Sequence, residues 1–186
     1  MSSPILTFVT SNPNKAKQLA QWLAHPVEHR AIEIDEIQTV DFDLLIQHKA
    51  RQAYQQIQAP VLVDDVALTF HAFGRLPGPF IKFFKDELGL EKCCRLLDPF
   101  DNRQATATVK YGLAYDGQSV QIFTGIIHGV IAPHPVGEGG FGWDAIFIPD
   151  GFIHTRAQLN SSDYEATSPR AQAIRALAEH LEITSR

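Results

Sequence analysis

Cysteine is scarce. The chain has two, Cys93 and Cys94, and adjacent residues rarely reach disulfide geometry, which removes a disulfide framework as the basis of the fold. No apolar run approaches the ~18 residues needed to span a bilayer, and no basic segment precedes the first apolar stretch. Neither a membrane anchor nor a secretory leader is therefore expected, and the expected address is cytoplasmic. Basic excess is missing too. Against 21 Asp+Glu there are 16 Lys+Arg, a formal net charge of -5, which lacks the broad positive footprint of a protein that binds a nucleic-acid polymer. What is present is ordinary globular material: 186 residues, 45% hydrophobic and 20% charged, with a mean hydropathy of -0.10. No linker-like stretch or internal repeat interrupts it, so a single domain over residues 1–186 is expected, large enough to bury roughly 70% of its unfolded surface.

Hydrophobic periodicity sets out an alternation of strands and helices. Ile5 to Thr10 reads as a buried strand that ends in Ser11-Asn12-Pro13-Asn14. Ala16, Leu19, Ala20 and Leu23 then trace a helical stripe that stops at His25-Pro26. Glu28 to Ile34 reads as a second strand, and Phe42, Leu45, Ile46, Ala50, Ala53, Tyr54 and Ile57 as a second helix carrying Lys49 on its apolar stripe. Val61-Leu62-Val63 reads as a short strand ending on Asp64-Asp65. After the rigid Pro77-Gly78-Pro79 turn, Glu91 to Leu97 suits a short helix. Gln104 to Tyr115 and Ser119 to Ile131 are strand-like and flank Asp116-Gly117, a strong hairpin signal. Ala145 to Ile148 is β-like, and Pro169 opens a final helix with Ala171, Ile174, Leu177, Ala178 and Leu181 on one side.

Gly137, Gly139 and Gly142 fit the letters of a dinucleotide fingerprint, but prolines precede them and a β-like run follows, where that motif needs a strand before and a helix after. No Walker A lysine, nucleophile elbow or metalloprotease helix occurs, and the histidines lack metal-ligand spacing. What remains is a set of polar groups at element ends: Thr10 to Lys15, Glu36, Lys49, Asp64 and Asp65, Lys82, and Phe141 to Asp144. A lysine on an apolar helix face either snorkels to solvent or aims at a buried anion. Adjacent carboxylates at a strand end either form a solvated turn or hold a cation or a shared proton. A loop opening a helix supplies N–H groups and a favourable dipole to a phosphate, lysines add point charges, and carboxylates hold a Mg²⁺ bridging phosphate oxygens. Together these residues suggest a nucleotide or phosphoester site.

The set Thr10-Ser11-Asn12-Pro13-Asn14-Lys15, Val61-Leu62-Val63-Asp64-Asp65, Leu76-Pro77-Gly78-Pro79-Phe80-Ile81-Lys82 and Gly140-Phe141-Gly142-Trp143-Asp144-Ala145-Ile146-Phe147, with Asp35-Glu36-Ile37-Gln38 and Lys49, resembles the inosine triphosphate pyrophosphatase family over nearly the whole chain. The resemblance implies an α/β fold in which an elongated mixed β-sheet with flanking helices forms two lobes around a central cleft, usually in a homodimer. It implies hydrolysis of non-canonical purine nucleoside triphosphates (ITP, dITP, XTP) to the monophosphate and pyrophosphate, with Mg²⁺ as cofactor and water attacking the α-phosphorus. In its terms Thr10, Asn12 and Lys15 form the triphosphate loop and Lys49 and Lys82 are further phosphate contacts. Glu36 with Asp64 or Asp65 binds the metal, and Asp65 or Asp64 is the catalytic carboxylate. Phe141 stacks on the base, with Trp143 and Asp144 completing the nucleoside pocket and Arg170 remaining from the base-reading segment.

The chain departs from that family where the base is read. Tyr164 stands where the family's lysine aligns, and Ser168-Pro169-Arg170 replaces its Ser-His-Arg, which removes donors suited to a 6-keto group. Val66 replaces a hydroxyl residue. Two alternatives stay open on these grounds: a related pyrophosphatase with altered base preference, or a nucleotide-binding paralogue without turnover.

Overall fold

The computed structural model describes residues 5–23 and 25–184, Ile183 and Thr184 by their backbone alone. Its strands are β1 (Leu6–Val9), β2 (Val27–Arg30), β3 (Val61–Phe70), β4 (Pro77–Gly78), β5 (Gln104–Ala114), β6 (Gln121–Ile131) and β7 (Phe147–Pro149). The helices are α1 (Pro13–Trp22), α2 (Phe42–Ile57), α3 (Ile81–Arg95), α4 (Ser161–Ala166) and α5 (Pro169–Thr184). A seven-stranded mixed sheet runs in the order β2-β1-β3-β5-β6-β7, with β4 paired to β3. β1 pairs in parallel with both β2 and β3, whereas β4 on β3 and β7 on β6 are antiparallel. This is the mixed-sheet α/β class that the family resemblance implies.

The chain folds into two compact units: Met1–Asp65, Val109–Gly125 and Arg170–Arg186 make the first, Val66–Thr108 and Ile126–Pro169 the second. In the first, β1 and the start of β3 are buried on both faces, as parallel strands in α/β sheets are. Val9, Val61 and Val63 pack against Ile46, Ala50 and Ala53 of α2 and against Ala114. Helices α1 and α2 begin on side-chain caps: Asn12 accepts from the Asn14 N–H at 3.0 Å, and Asp41 from that of Leu44 at 3.0 Å. The core of the second unit joins Leu68 and Phe70 of β3 with Ile81, Cys93, Cys94, Leu97, Ile146 and Phe147.

Four expectations need correction. Residues 31–39 form no strand beyond Arg30. Ile32 and Ile34 pack half-buried against the first core without one, because α2 side chains satisfy the local backbone: Gln52 accepts from the Asp35 N–H at 2.9 Å and Gln56 donates to the Glu33 carbonyl at 2.9 Å. β3 does not end at the aspartates but continues through them to Phe70, since the Asp64 charge is met by two cations rather than by solvent. The expected short helix at Glu91 to Leu97 is the second part of α3, which starts at Ile81 and is interrupted at Gly89, φ +76°; that break disrupts the apolar periodicity. Ahead of β7, Asp144–Ile146 is a short 3₁₀ turn rather than strand.

Candidate functional site

Within the first unit, charged residues from distant segments converge on the two aspartates of β3. Asp64 is almost fully enclosed, its side chain 1% exposed. Lys15, from the first turn of α1, donates to its Oδ1 at 3.1 Å, and Arg170, from the start of α5, donates from Nη1 to its Oδ2 at 2.6 Å. Burial alone would push the Asp64 pKa up. Lys15 and Arg170 outweigh that and hold it down at about 2. Arg170 Nη1 also donates to the buried Tyr111 hydroxyl at 2.6 Å, and burial first, with Asp64 adding to it, raises the Tyr111 pKa, so that hydroxyl keeps its proton.

The strand's alternation turns Asp65 away from this enclosed cluster. Lys49 Nζ donates to Asp65 Oδ2 at 3.0 Å, to Glu36 Oε1 at 2.7 Å and to the Asp64 carbonyl at 3.2 Å. Burial would lower the Lys49 pKa, but Asp65 and Glu36 more than offset it and the net shift is upward. Lys49 therefore does not snorkel. It lies 12% exposed with its ammonium between two carboxylates that are themselves 21% and 57% exposed.

These contacts separate the two aspartates. Both oxygens of Asp64 are occupied by fixed cations, whereas Asp65 and Glu36 offer more accessible oxygens around one point. An all-oxygen pair of this kind suits a hard cation that keeps most of its waters or takes substrate oxygens, as Mg²⁺ does. The described residues contain no cluster of three or more His, Cys, Asp or Glu that would make a closed metal cage. Thr10 and Asn12 shape the turn into α1: the Thr10 hydroxyl accepts from the Asn12 N–H at 3.1 Å, and Asn12 caps the helix. Lys82 lies in the other unit, exposed in the first turn of α3.

The second unit carries the aromatic segment. Phe141 is 65% exposed, while Trp143 packs edge-on against Phe147 with ring centroids 5.5 Å apart. Asp144 is 5% exposed and sits beneath the loop. It accepts from the Phe141 N–H at 2.6 Å, from Arg156 Nε at 2.9 Å and from the Tyr164 hydroxyl at 2.7 Å.

Sequence reasoning passes over two buried partners, Tyr111 and Arg156. Tyr111 had a legible signal: it occupies the inward row Ala105, Ala107, Val109, Tyr111, Leu113 of β5, where a hydroxyl requires a partner. Arg156 had none, because a lone arginine in a polar loop reads as solvated surface.

Comparison with known proteins bears on the family and the fold. Residues 6–180 match the model of the Ham1 family. A curated relative from Trypanosoma cruzi named inosine triphosphate pyrophosphatase 2 is 39% identical over 178 residues, covering 94% of this chain and 91% of its own length. A dITP/XTP pyrophosphatase from Hyperthermus butylicus is 33% identical, covering 97% and 96%. The solved structure of a HAM1 protein from Coxiella burnetii superposes with a TM-score of 0.87 at 26% identity, over 97% of this chain and 99% of that one. A match across nearly the whole length, in sequence and in fold, has one consequence: the chain belongs to the Ham1 family.

Proposed function

We infer that this protein is a Mg²⁺-dependent pyrophosphatase acting on non-canonical purine nucleoside triphosphates of the ITP, dITP and XTP kind, releasing the monophosphate and pyrophosphate. The observation that carries the reading is Lys49, drawn off its solvent-seeking course and fixed between Glu36 and Asp65. An ammonium and two carboxylates around one point suit a substrate that is an anion accompanied by a cation. The names of the Trypanosoma cruzi and Hyperthermus butylicus relatives support the same reading.

In this reading Lys15 and Lys49 bind phosphate oxygens, and the capped start of α1 at Thr10-Ser11-Asn12 contributes N–H groups and its dipole. Lys82 provides a further phosphate contact. Asp65 orients the attacking water and takes its proton as oxygen adds to the α-phosphorus and the bond to the pyrophosphate oxygen breaks. Glu36 and Asp65 would hold the Mg²⁺, whose charge would offset the negative charge developing on the departing pyrophosphate. Asp64, locked by Lys15 and Arg170, serves the site by fixing those cations. Phe141 stacks on the base, with Trp143 beside it and Asp144 beneath the loop that carries the ring. A homodimer in the cytoplasm completes the proposal. Among the described residues no helix is long and apolar enough to cross a membrane.

The test is product analysis. With Mg²⁺ and ITP or XTP, the purified protein should release inosine or xanthosine monophosphate and pyrophosphate in equal amounts; orthophosphate as the direct product, or no turnover across a panel of triphosphates, would refute it.

A further inference from the structure

The carboxylate of Asp144 is fully engaged inside the protein. Its Oδ1 receives Arg156 Nε at 2.9 Å, and its Oδ2 receives both the Tyr164 hydroxyl at 2.7 Å and the Phe141 N–H at 2.6 Å. The two partners are themselves held. Arg156, 4% exposed, donates from Nη1 to the Tyr164 carbonyl at 3.2 Å, to the Thr167 hydroxyl at 2.7 Å and to the Thr167 carbonyl. Its guanidinium lies 4.2 Å from the centroid of the Tyr164 ring. Burial, and next the Asp144 charge, raise the Tyr164 pKa, so the phenol remains a donor. At Gly140, φ +76°, a Cβ would stand 2.5 Å from Asp144 Oδ2; the loop closes over the carboxylate only because that position is glycine.

A buried carboxylate with both oxygens taken has little left to offer a ligand, and exposing it would strand the Arg156 charge. The outcome of all these contacts is instead mechanical: they fix the backbone amide of Phe141, whose ring projects into solvent. We propose that Asp144, Arg156 and Tyr164 form a positioning network that presents the Phe141 ring to the purine, with Asp144 acting on the base only through Phe141. This deepens the proposed function and rests on it for the identity of the stacked ligand. An aromatic ring held in place loses little freedom when a base stacks on it, so preorganisation appears in substrate binding and leaves the chemical step alone.

The experiment uses Tyr164→Phe, which removes the hydroxyl and keeps the ring against Arg156. With ITP, KM should rise about tenfold, the scale of one lost hydrogen bond to a charged group, with kcat unchanged. Inhibition by inorganic tripolyphosphate, which has no base, should not move. In a Phe141→Ala background the same substitution should cause no further change in KM. Additive effects of Phe141→Ala and Tyr164→Phe would mean direct contact between the network and the base; a parallel loss of tripolyphosphate binding would mean general disruption. Either overturns the proposal. A substrate-free arm keeps this separate from the function itself. With Trp22 replaced by Phe, Trp143 fluorescence should become more accessible to acrylamide in Tyr164→Phe, and unchanged quenching refutes the network even if no nucleotide is turned over. Arg156→Lys, which keeps the charge but not the planar stack, should shift KM and quenching in the same direction by a smaller factor.

Discussion

Arg170 and Asp64, 106 positions apart in the chain, meet at 2.6 Å through Nη1 and Oδ2. With Lys15 on the other oxygen, this pair lets a carboxylate stand buried inside β3. Removing one partner of a buried pair costs more than the pair contributes, because a charge is left behind. Arg170→Met should therefore destabilise the protein by about 3 kcal/mol, read as a lowered urea midpoint with an unchanged slope. A midpoint within error of the parent would show that Lys15 alone compensates Asp64.

Asp64 also gives the stability a definite pH dependence. Its folded pKa, about 2 against an ordinary 3.8, is depressed, so the contribution is fully present above pH 3.8 and is lost as pH falls toward 2. The gap corresponds to about 2 kcal/mol. Urea unfolding in the presence of a chelator, followed from pH 5 down to pH 2, should show this loss in the parent, and Asp64→Asn should flatten that limb. An equally steep acid limb in the variant would place the titration elsewhere.

Activity should respond differently to the residues around Lys49. Asp65→Asn keeps size and fold but removes the base, and should lower kcat by about 10³-fold; near-normal turnover would sink the acid/base and metal assignment. Lys49→Met should lower kcat/KM at least ~100-fold while circular dichroism and the urea midpoint report a folded protein. A lysine serving only to cover apolar surface would tolerate the methionine.

Cys93 and Cys94 are free thiols, both 0% exposed in the second core. Burial raises both pKa values, that of Cys94 to about 12. Neither should react with a disulfide reagent such as DTNB in the native protein at pH 8, and both should titrate at once in denaturant. Fast labelling under native conditions would show that this core opens locally.

Elements with clean periodicity were legible in the sequence. α2 begins at Phe42 and ends at Ile57, and α5 begins at Pro169, as the apolar spacing and the proline predict; the Asp116-Gly117 turn separates β5 from β6, with Asp116 Oδ1 accepting from the Gln118 N–H at 2.8 Å and the Ser119 N–H at 2.6 Å. Misplaced elements share a cause. The segment at Ile32 and Ile34 is apolar yet not a strand, and β3 is strand through two aspartates. In both places the backbone or the charge is satisfied by residues far along the chain, which no local window contains.

The same division governs the site. Residue types, order and spacing determined by themselves which side chains are candidates, because phosphate and metal chemistry draw on a small set of groups. They left open whether Lys49 snorkels, which aspartate is accessible, and what Asp144 holds. Tertiary structure decided those points. A pKa depends on burial and on charges within a few ångströms, and hydrogen-bond capacity is spent on whichever partners the fold delivers. Lys15 and Arg170 consume Asp64, Lys49 leaves Asp65 and Glu36 at the accessible edge, and Arg156 with Tyr164 closes Asp144 beneath Phe141.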